Sequence, residues 1–225
     1  MSVKELEKKL GYRFRNISLL ETALTHSSFA NESGGTAVCN ERLEFLGDSV
    51  LGMTVADALF RTYPDMPEGR MTRLRAELVC EQSLYRVAQG LELGESIRLG
   101  RGMEHNGGRG SVSILADAVE AVIAALYLDA GMEEASHFIH ERLLSGLGRD
   151  PLFFSDAKTA LQEFIQRKSG QVLAYELLDE SGPDHDKTFH VRVLLNGKEC
   201  GQGIGHSKKE AEQAAAAIAL QELCP

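Results

Sequence analysis

Apolar residues recur at helical spacing through the first two thirds of the chain. The pattern covers four segments, Leu43–Leu59, Leu74–Leu91, Ser113–Leu128 and Glu133–Leu144. A return of apolar positions every three or four residues predicts helices that bury one face or more. Residues that end helices separate these segments, at Tyr63–Gly69, Gly100–Gly110 and Asp129–Gly131. Because no stretch of this part alternates between apolar and polar residues, we predict that it is all-α.

The last third of the chain changes its period twice. Ala157–Lys168 has the pattern of an amphipathic helix. Three segments then alternate as strands do, at Val172–Glu180, Phe189–Leu195 and Gly197–Ile204. Asn196-Gly197 predicts a tight hairpin turn, and Ser207 is a suitable N-cap for a final helix over Ser207–Leu223. The order helix–strand–strand–strand–helix predicts a small α+β domain.

The segment between the two parts, Gly146–Pro151, is typical of a linker because Gly and Pro disfavour regular structure. A length of 225 residues allows two modest domains. We therefore predict an all-α N-terminal domain over residues 1–152, the end of a linker at 153–155, and an α+β (α-β-β-β-α) C-terminal domain over 156–225.

Composition excludes several classes of protein. Hydrophobic residues make up 43% and charged residues 25%, which is an ordinary globular mixture and not that of a disordered chain. The longest apolar stretch, Ala121–Leu128, is too short for a membrane span, and the first residues lack a signal-peptide pattern. Four scattered cysteines predict free thiols, so we expect a cytoplasmic protein with no membrane partner. The net charge of −9 argues weakly against a nucleic-acid partner, although charge acts locally.

Three acids share one face of the first predicted helix. Glu41, Glu44 and Asp48 are spaced i, i+3 and i+7, which brings their side chains to the same side of a helix. Such a trio is often a solvated face. Here the neighbouring apolar residues leave little of the helix for water, so the face is also a candidate for chemistry.

Asp117 and Glu120 interrupt a segment that is apolar on nearly every side. A helix of this kind is buried, and a buried carboxylate without a partner is costly or becomes protonated. No Lys or Arg occurs from Ser113 to Leu128. A divalent cation such as Mg²⁺ removes this cost because it prefers oxygen ligands. If the two helices face each other, their acids form the kind of cluster found at magnesium phosphoryl-transfer sites.

These segments resemble the ribonuclease III family of double-stranded-RNA endonucleases. Asn40–Leu51 is similar to the family signature, Ser113–Ala125 to its second catalytic segment, and Thr25–Glu32 to its first helix and turn. The sequence departs from the family pattern at Cys39, where members often carry His, and at Ser111-Val112-Ser113, which lacks the polar or acidic residue common just before Ile114.

The resemblance implies roles for individual residues: catalytic Asp48 and Glu120; metal ligands Glu44, Asp117 and Glu120; supporting acids Glu41 and Glu68; and a dimer contact at Phe45. It also implies Mg²⁺ as cofactor, with Mn²⁺ as a substitute, and no small-molecule cofactor. The expected protein is a homodimer whose two chains each cut one strand, leaving 5′-phosphate and 3′-hydroxyl ends. Processing of ribosomal-RNA precursors and other structured transcripts is the implied cellular role.

Two lysines stand at the start of the last predicted helix, where they oppose the helix dipole but suit a phosphate. These residues, Lys208 and Lys209, belong to a segment from Asp156 to Leu223 that resembles a double-stranded-RNA-binding domain. The resemblance implies RNA contacts at Thr159, Gln162, Glu163, His185, Lys208 and Lys209. Domains of this kind recognise duplex shape and 2′-hydroxyls more than sequence.

Two other functions remain open at this point. A catalytically inactive, dimeric duplex-RNA-binding protein would share the fold, and an all-helical metal phosphohydrolase would share the acids. The intact acidic set argues against the first, because a binding protein has no use for buried carboxylates. The C-terminal RNA-binding pattern argues against the second.

Overall fold

The computed structural model describes residues 2–34, 36–147, 157–166, 170–182 and 187–223. The chain divides into two compact units, Met1–Ser145 and Gly146–Pro225. The boundary predicted at residues 152–156 lies outside the described residues, as does Cys224. None of the helices in the described ranges is long and apolar enough to cross a membrane.

The first unit is helical, as predicted. Its helices are α1 (Val3–Leu10), α2 (Ile17–Ala23), α3 (Ser27–Glu32), α4 (Glu41–Thr62), α5 (Glu68–Leu78), α6 (Glu81–Leu91), α7 (Arg101–His105), α8 (Val112–Ala130) and α9 (Met132–Arg142). Two 3₁₀ turns, Leu93–Glu95 and Gly108–Gly110, join some of them. The extended backbone pairing described in this unit is a single bridge between Thr25 and Arg98.

Helix α8 is the centre of this unit. Its residues are buried from Ile114 to Leu126 with two interruptions, Asp117 and Glu120. Helices α4, α6 and α9 pack against it. A helix that is apolar on all sides folds stably in this position because its neighbours remove it from water on every face.

The segment Leu74–Leu91 is two helices, and its prediction as one was wrong. Helix α5 ends at Leu78, and the extended backbone of Cys80 (φ −67°, ψ 154°) precedes α6. The Ser83 hydroxyl donates a hydrogen bond to the Glu77 carbonyl across the break. Apolar periodicity does not reveal this break because both helices bury leucines toward the same core. The segment Gly100–Gly110, predicted as a break, contains α7 and a 3₁₀ turn.

The second unit has the predicted order of elements: α10 (Ala157–Gln166), β1 (Leu173–Ser181), β2 (Thr188–Leu195), β3 (Lys198–Gly205) and α11 (Lys208–Leu223). The strands form an antiparallel sheet in the order β1-β2-β3. Asn196 and Gly197 both have positive φ, 53° and 79°, as the predicted two-residue turn requires.

Small residues let α11 approach the sheet closely. A Cβ atom on Gly203 would lie 2.2 Å from the Ala215 backbone nitrogen, and one on Gly201 would lie 2.5 Å from the Ala215 carbonyl oxygen. Ala211, Ala215 and their alanine neighbours are buried there with the apolar face of α10. This contact fixes the start of α11 relative to the sheet, which positions Lys208 and Lys209.

Candidate active site

Three carboxylates from two helices converge in the first unit. Glu44 lies on α4, and Asp117 and Glu120 lie on α8. One oxygen of each lies within 4.8 Å of the others, and each residue is partly buried. We call these three residues the carboxylate triad. The two acids of α8 and one acid of α4 that the sequence singled out therefore lie together.

The contact between α4 and α8 depends on a glycine that sequence reasoning did not select. A Cβ atom on Gly47 would lie 1.8 Å from the carbonyl oxygen of Glu120, so this position admits no side chain. Gly47 stands between two of the predicted acids in the middle of a helix, where glycine costs roughly 0.5–1 kcal/mol relative to alanine. That local cost was the available signal that another backbone approaches closely.

Burial and the negative charges of neighbouring acids disfavour the charged forms of all three carboxyls in the triad. Burial, followed by the charges of Asp48, Asp117 and Glu44, raises the pKa of Glu120 to about 8. Burial also raises the pKa of Glu44, and the neighbouring acids raise it further. Among the described residues, no lysine or arginine contributes to these shifts. The triad therefore has the electrostatic character of a cation-binding site.

Two further groups act on Asp117. Its pKa is raised first by burial and then by the negative charge of Glu81, while His26 lowers it. Glu81 is the first residue of α6 and is exposed, so no apolar pattern in the sequence distinguished it. The His26 Nδ1 accepts a hydrogen bond from the Ser28 backbone nitrogen at 3.1 Å, so the His26 side chain caps the start of α3.

The predicted acids outside the triad lie on two helices: Glu41 and Asp48, the latter predicted as catalytic, on α4, and Glu68 on α5. Glu41 and Asp48 are exposed on α4, one turn before and one turn after Glu44. Glu68 begins α5 and accepts a hydrogen bond from the Thr72 hydroxyl at 2.7 Å. It is not one of the residues that the geometry groups with the triad.

An apolar stripe runs along the exposed side of α4. Phe45 is 79% exposed, and Met53 and Phe60 on the same helix are also exposed. Met53 and Phe60 border a groove of about 490 Å³ between α4 and α5, whose floor and walls include Met71 and Glu68. Exposed large apolar side chains at this density are typical of an interaction surface.

The predicted RNA-binding residues other than His185 lie on the two helices of the second unit. Lys208 and Lys209 are the exposed first residues of α11, and the Ser207 hydroxyl caps that helix by accepting from the Glu210 nitrogen at 3.2 Å. Thr159 and Gln162 are on α10. His185 and the side chain of Glu163 lie outside the described residues.

Comparison with known proteins supports the two-part organisation. The family described as Ribonuclease-III-like matches residues 16–147, and the double-stranded RNA binding motif matches residues 157–223. Ribonuclease 3 of Desulforamulus reducens is 50% identical over 224 residues, covering 97% of this chain and 90% of that protein. Ribonuclease 3 of Listeria innocua is 44% identical over 222 residues, covering 98% and 97%.

A solved structure resembles the first unit. It is the nuclease domain of ribonuclease III from Campylobacter jejuni, described for structural flexibility in a region involved in dimer formation. The match has a TM-score of 0.61 and 40% identity, and covers 65% of this chain and 99% of that one. The resemblance of the first unit therefore extends over nearly all of that domain.

Proposed function

Because this chain belongs to the ribonuclease III family, we propose that it is an endonuclease that hydrolyses phosphodiester bonds in double-stranded RNA. The observation that carries the proposal is the carboxylate triad, Glu44, Asp117 and Glu120, held together against its own repulsion. The double-stranded RNA binding motif in the second unit supplies the substrate class. The products expected from the family are 5′-phosphate and 3′-hydroxyl ends.

The triad fits a magnesium ion. Its donors are all carboxylate oxygens, which are the ligands Mg²⁺ prefers. Octahedral ligands about 2.1 Å from Mg²⁺ lie roughly 3–4 Å apart, and the triad oxygens lie within 4.8 Å of one another. The three carboxylates are therefore close enough together to share one ion. We propose Mg²⁺ as the cofactor held by Glu44, Asp117 and Glu120, with Mn²⁺ as a substitute.

An ion held by Glu44, Asp117 and Glu120 would supply Lewis acidity and lower the pKa of a coordinated water. The protein's own task is to hold the three carboxyls close together. Glu120, whose pKa of about 8 favours a bound proton near neutrality, would be ionised as a ligand of a bound cation. Asp48 contributes negative charge to Glu120 from the exposed side of α4. We propose Asp48 and Glu120 as the catalytic residues and Glu41 and Glu68 as supporting acids.

The second unit binds the duplex in this proposal. Lys208 and Lys209 present two exposed charges beside the free backbone N–H groups of α11, an arrangement that suits RNA phosphates. Thr159, Gln162 and Glu163 on α10 would meet a minor groove, and His185 would meet the next one. Recognition by these residues would depend on duplex shape and not on base sequence.

The apolar stripe of α4 supports a homodimer. Phe45 is 79% exposed beside the triad, and burying an aromatic of this size in a second subunit gains roughly 1.5–3 kcal/mol. The groove between α4 and α5 is an apolar surface of suitable size on the same helix. A two-fold dimer places two active sites in opposite directions, which matches the antiparallel strands of a duplex.

We propose precursors of ribosomal RNA and other structured transcripts as substrates, in the cytoplasm. The described cysteines, Cys39, Cys80 and Cys200, are free thiols, which supports a reducing compartment. The alternative of an inactive binding dimer is less favoured, because the repulsion within the triad lowers stability without benefit to binding alone.

The test is cleavage of a long RNA duplex by the purified protein, with Mg²⁺ or with EDTA. We expect cleavage only with Mg²⁺, and products that a 5′-phosphate-dependent exonuclease degrades. Glu120→Gln should abolish cleavage and leave duplex binding intact, whereas the remote, exposed Glu133→Gln should cleave normally. Binding without cleavage by the unaltered protein would favour the inactive dimer.

A further inference from the structure

A basic groove lies on the first unit at α1 and the turn that follows it. It has a volume of about 530 Å³ and is lined by Lys4, Glu7, Lys8, Gly11, Tyr12 and Arg13. None of these residues belongs to the carboxylate triad or to the predicted RNA contacts. Three of the six carry a positive charge, which is unusual in a domain where acids predominate.

The backbone around the groove is held firmly. Ser2 and Glu5 form a capping box at the start of α1, and Gly11 ends the helix in the left-handed region at φ 71°. The Tyr12 hydroxyl donates to Asp129 at 2.7 Å, and Asp129 also accepts from the backbone nitrogen of Arg15 at 2.8 Å. These contacts attach the turn to α8, so the groove is formed before any ligand binds.

The positive charges of the groove are only partly offset by nearby acids: the charge of Lys8 contributes to lowering the pKa of Glu5, and Glu7 lines the groove. Across the described part of the chain, Lys4, Lys8 and Arg13 have no ion-pair partner, whereas the adjacent Lys9 pairs with Glu92 at 2.7 Å. The carboxylate of Glu7 accepts a hydrogen bond from the Phe14 nitrogen at 2.8 Å, which directs it to the backbone. The lining carries three positive charges against the one negative charge of Glu7, and this excess of positive charge attracts an anion.

The distribution of charge along the first unit reinforces this point. Residues 1–15 contain five Lys or Arg and two Glu, whereas residues 16–145 contain ten Lys or Arg and nineteen Asp or Glu. Positive charge is therefore concentrated at α1 in a unit that is otherwise acidic. Lys4 and Lys8 are four residues apart on one helix, which places their Cβ atoms roughly 5–6 Å from each other.

We propose that this groove, formed by Lys4, Lys8 and Arg13, binds backbone phosphates of the duplex RNA at a position separate from the cleavage site. The inference rests on the proposed function, because RNA supplies the phosphates. The groove offers flexible ammonium groups and a guanidinium to the phosphates, and it offers no pocket that would select a base. It contributes affinity that depends on salt and not on sequence.

The test compares the full-length protein with the triple variant K4Q/K8Q/R13Q. Binding of a long duplex RNA is measured in EDTA, where cleavage does not compete, at several salt concentrations. Each lost phosphate contact should lower the slope of log affinity against log salt by about 0.7–0.9. We expect the triple variant to bind about tenfold or more weakly at low salt, with a slope shallower by about 2 to 3.

A charge-matched control separates the groove from the net charge of the protein. The variant R61Q/R86Q/R98Q also removes three positive charges, at residues outside the groove. It should retain the salt slope, and thermal melting should show that both variants are folded. Equal slopes for the groove variant and the unaltered protein would overturn the proposal, as would equal losses in both variants.

Two further measurements separate a failure of the groove proposal from a failure of the proposed function. If inorganic phosphate at millimolar concentration binds the unaltered protein but not K4Q/K8Q/R13Q, while both bind duplex RNA with the same salt slope, the groove is a site for small phosphates and the proposal is wrong. If the unaltered protein neither binds nor cleaves duplex RNA, the proposed function fails. Normal binding and cleavage with an unchanged groove variant would contradict only the inference about the groove.

Discussion

Removal of one charge from the carboxylate triad should make the metal-free protein more stable. In Glu120→Gln the amide has nearly the same shape as the carboxyl but cannot ionise. Burial and three neighbouring acids raise the pKa of Glu120 to about 8. In the unfolded chain the same carboxyl ionises near its ordinary value of 4.5. The native protein therefore binds a proton more tightly than the unfolded chain does.

The difference in the pKa of Glu120 between the native and unfolded states decides how stability changes with pH. Below about pH 4.5 both states hold the proton, and Glu120 does not change the free energy of unfolding. As the pH rises toward 8, only the unfolded chain releases its proton, so Glu120 progressively destabilises the native state. The full difference corresponds to at most about 5 kcal/mol. Because the side chain is only partly buried, solvent screening reduces this, and we expect about 1–2 kcal/mol.

The assay is urea unfolding in EDTA at about pH 5 and about pH 8.5. Glu120→Gln should gain little stability at the lower pH and about 1–2 kcal/mol at the higher one. Glu133→Gln makes the same chemical change at an exposed position on α9 and should stay within about 0.5 kcal/mol at both. An equal gain at both pH values, or a loss at the higher one, would refute the electrostatic reasoning. Added Mg²⁺ should stabilise the unaltered protein more than the variant.

Three other predictions test the surroundings of the triad. Gly47→Ala should lower the free energy of unfolding by about 2–3 kcal/mol and remove most cleavage activity, because the added Cβ meets the Glu120 backbone. Gly52→Ala is the control, since a Cβ there meets open space, and it should be neutral or slightly stabilising. Unfolding and cleavage assays compare the two variants. Phe45→Ser should shift sedimentation toward the monomer, and a dimer unchanged at micromolar concentration would exclude a role for this side chain in assembly. The double variant Lys208→Gln/Lys209→Gln should weaken duplex binding about tenfold and lower the slope of log affinity against log salt by about 2. The control is Lys198→Gln, at an exposed lysine on β3. An unchanged slope in the double variant would argue against phosphate contacts at α11.

The sequence predicted helices and strands accurately where residues close together in the chain determine the structure. The last strand pair and its turn at Asn196-Gly197 were predicted within one residue, because a two-residue turn with two positive φ values leaves few alternatives. The break at Cys80 was missed because its hydrogen bond from Ser83 to Glu77 joins residues that carry no apolar signal.

The sequence by itself determined that α8 is buried and that Asp117 and Glu120 are costly there, because apolar residues surround them and no basic residue is near in the chain. Only the tertiary structure decided which other groups meet them. The contact of Gly47 with Glu120 and the influence of Glu81 on Asp117 join residues far apart in the chain. Apolar periodicity shows which face of one helix is buried and which is exposed. How closely two helices approach each other depends on side-chain packing along their whole length. The separation of the carboxylates, and with it the pKa of Glu120, is therefore a property of the assembled core.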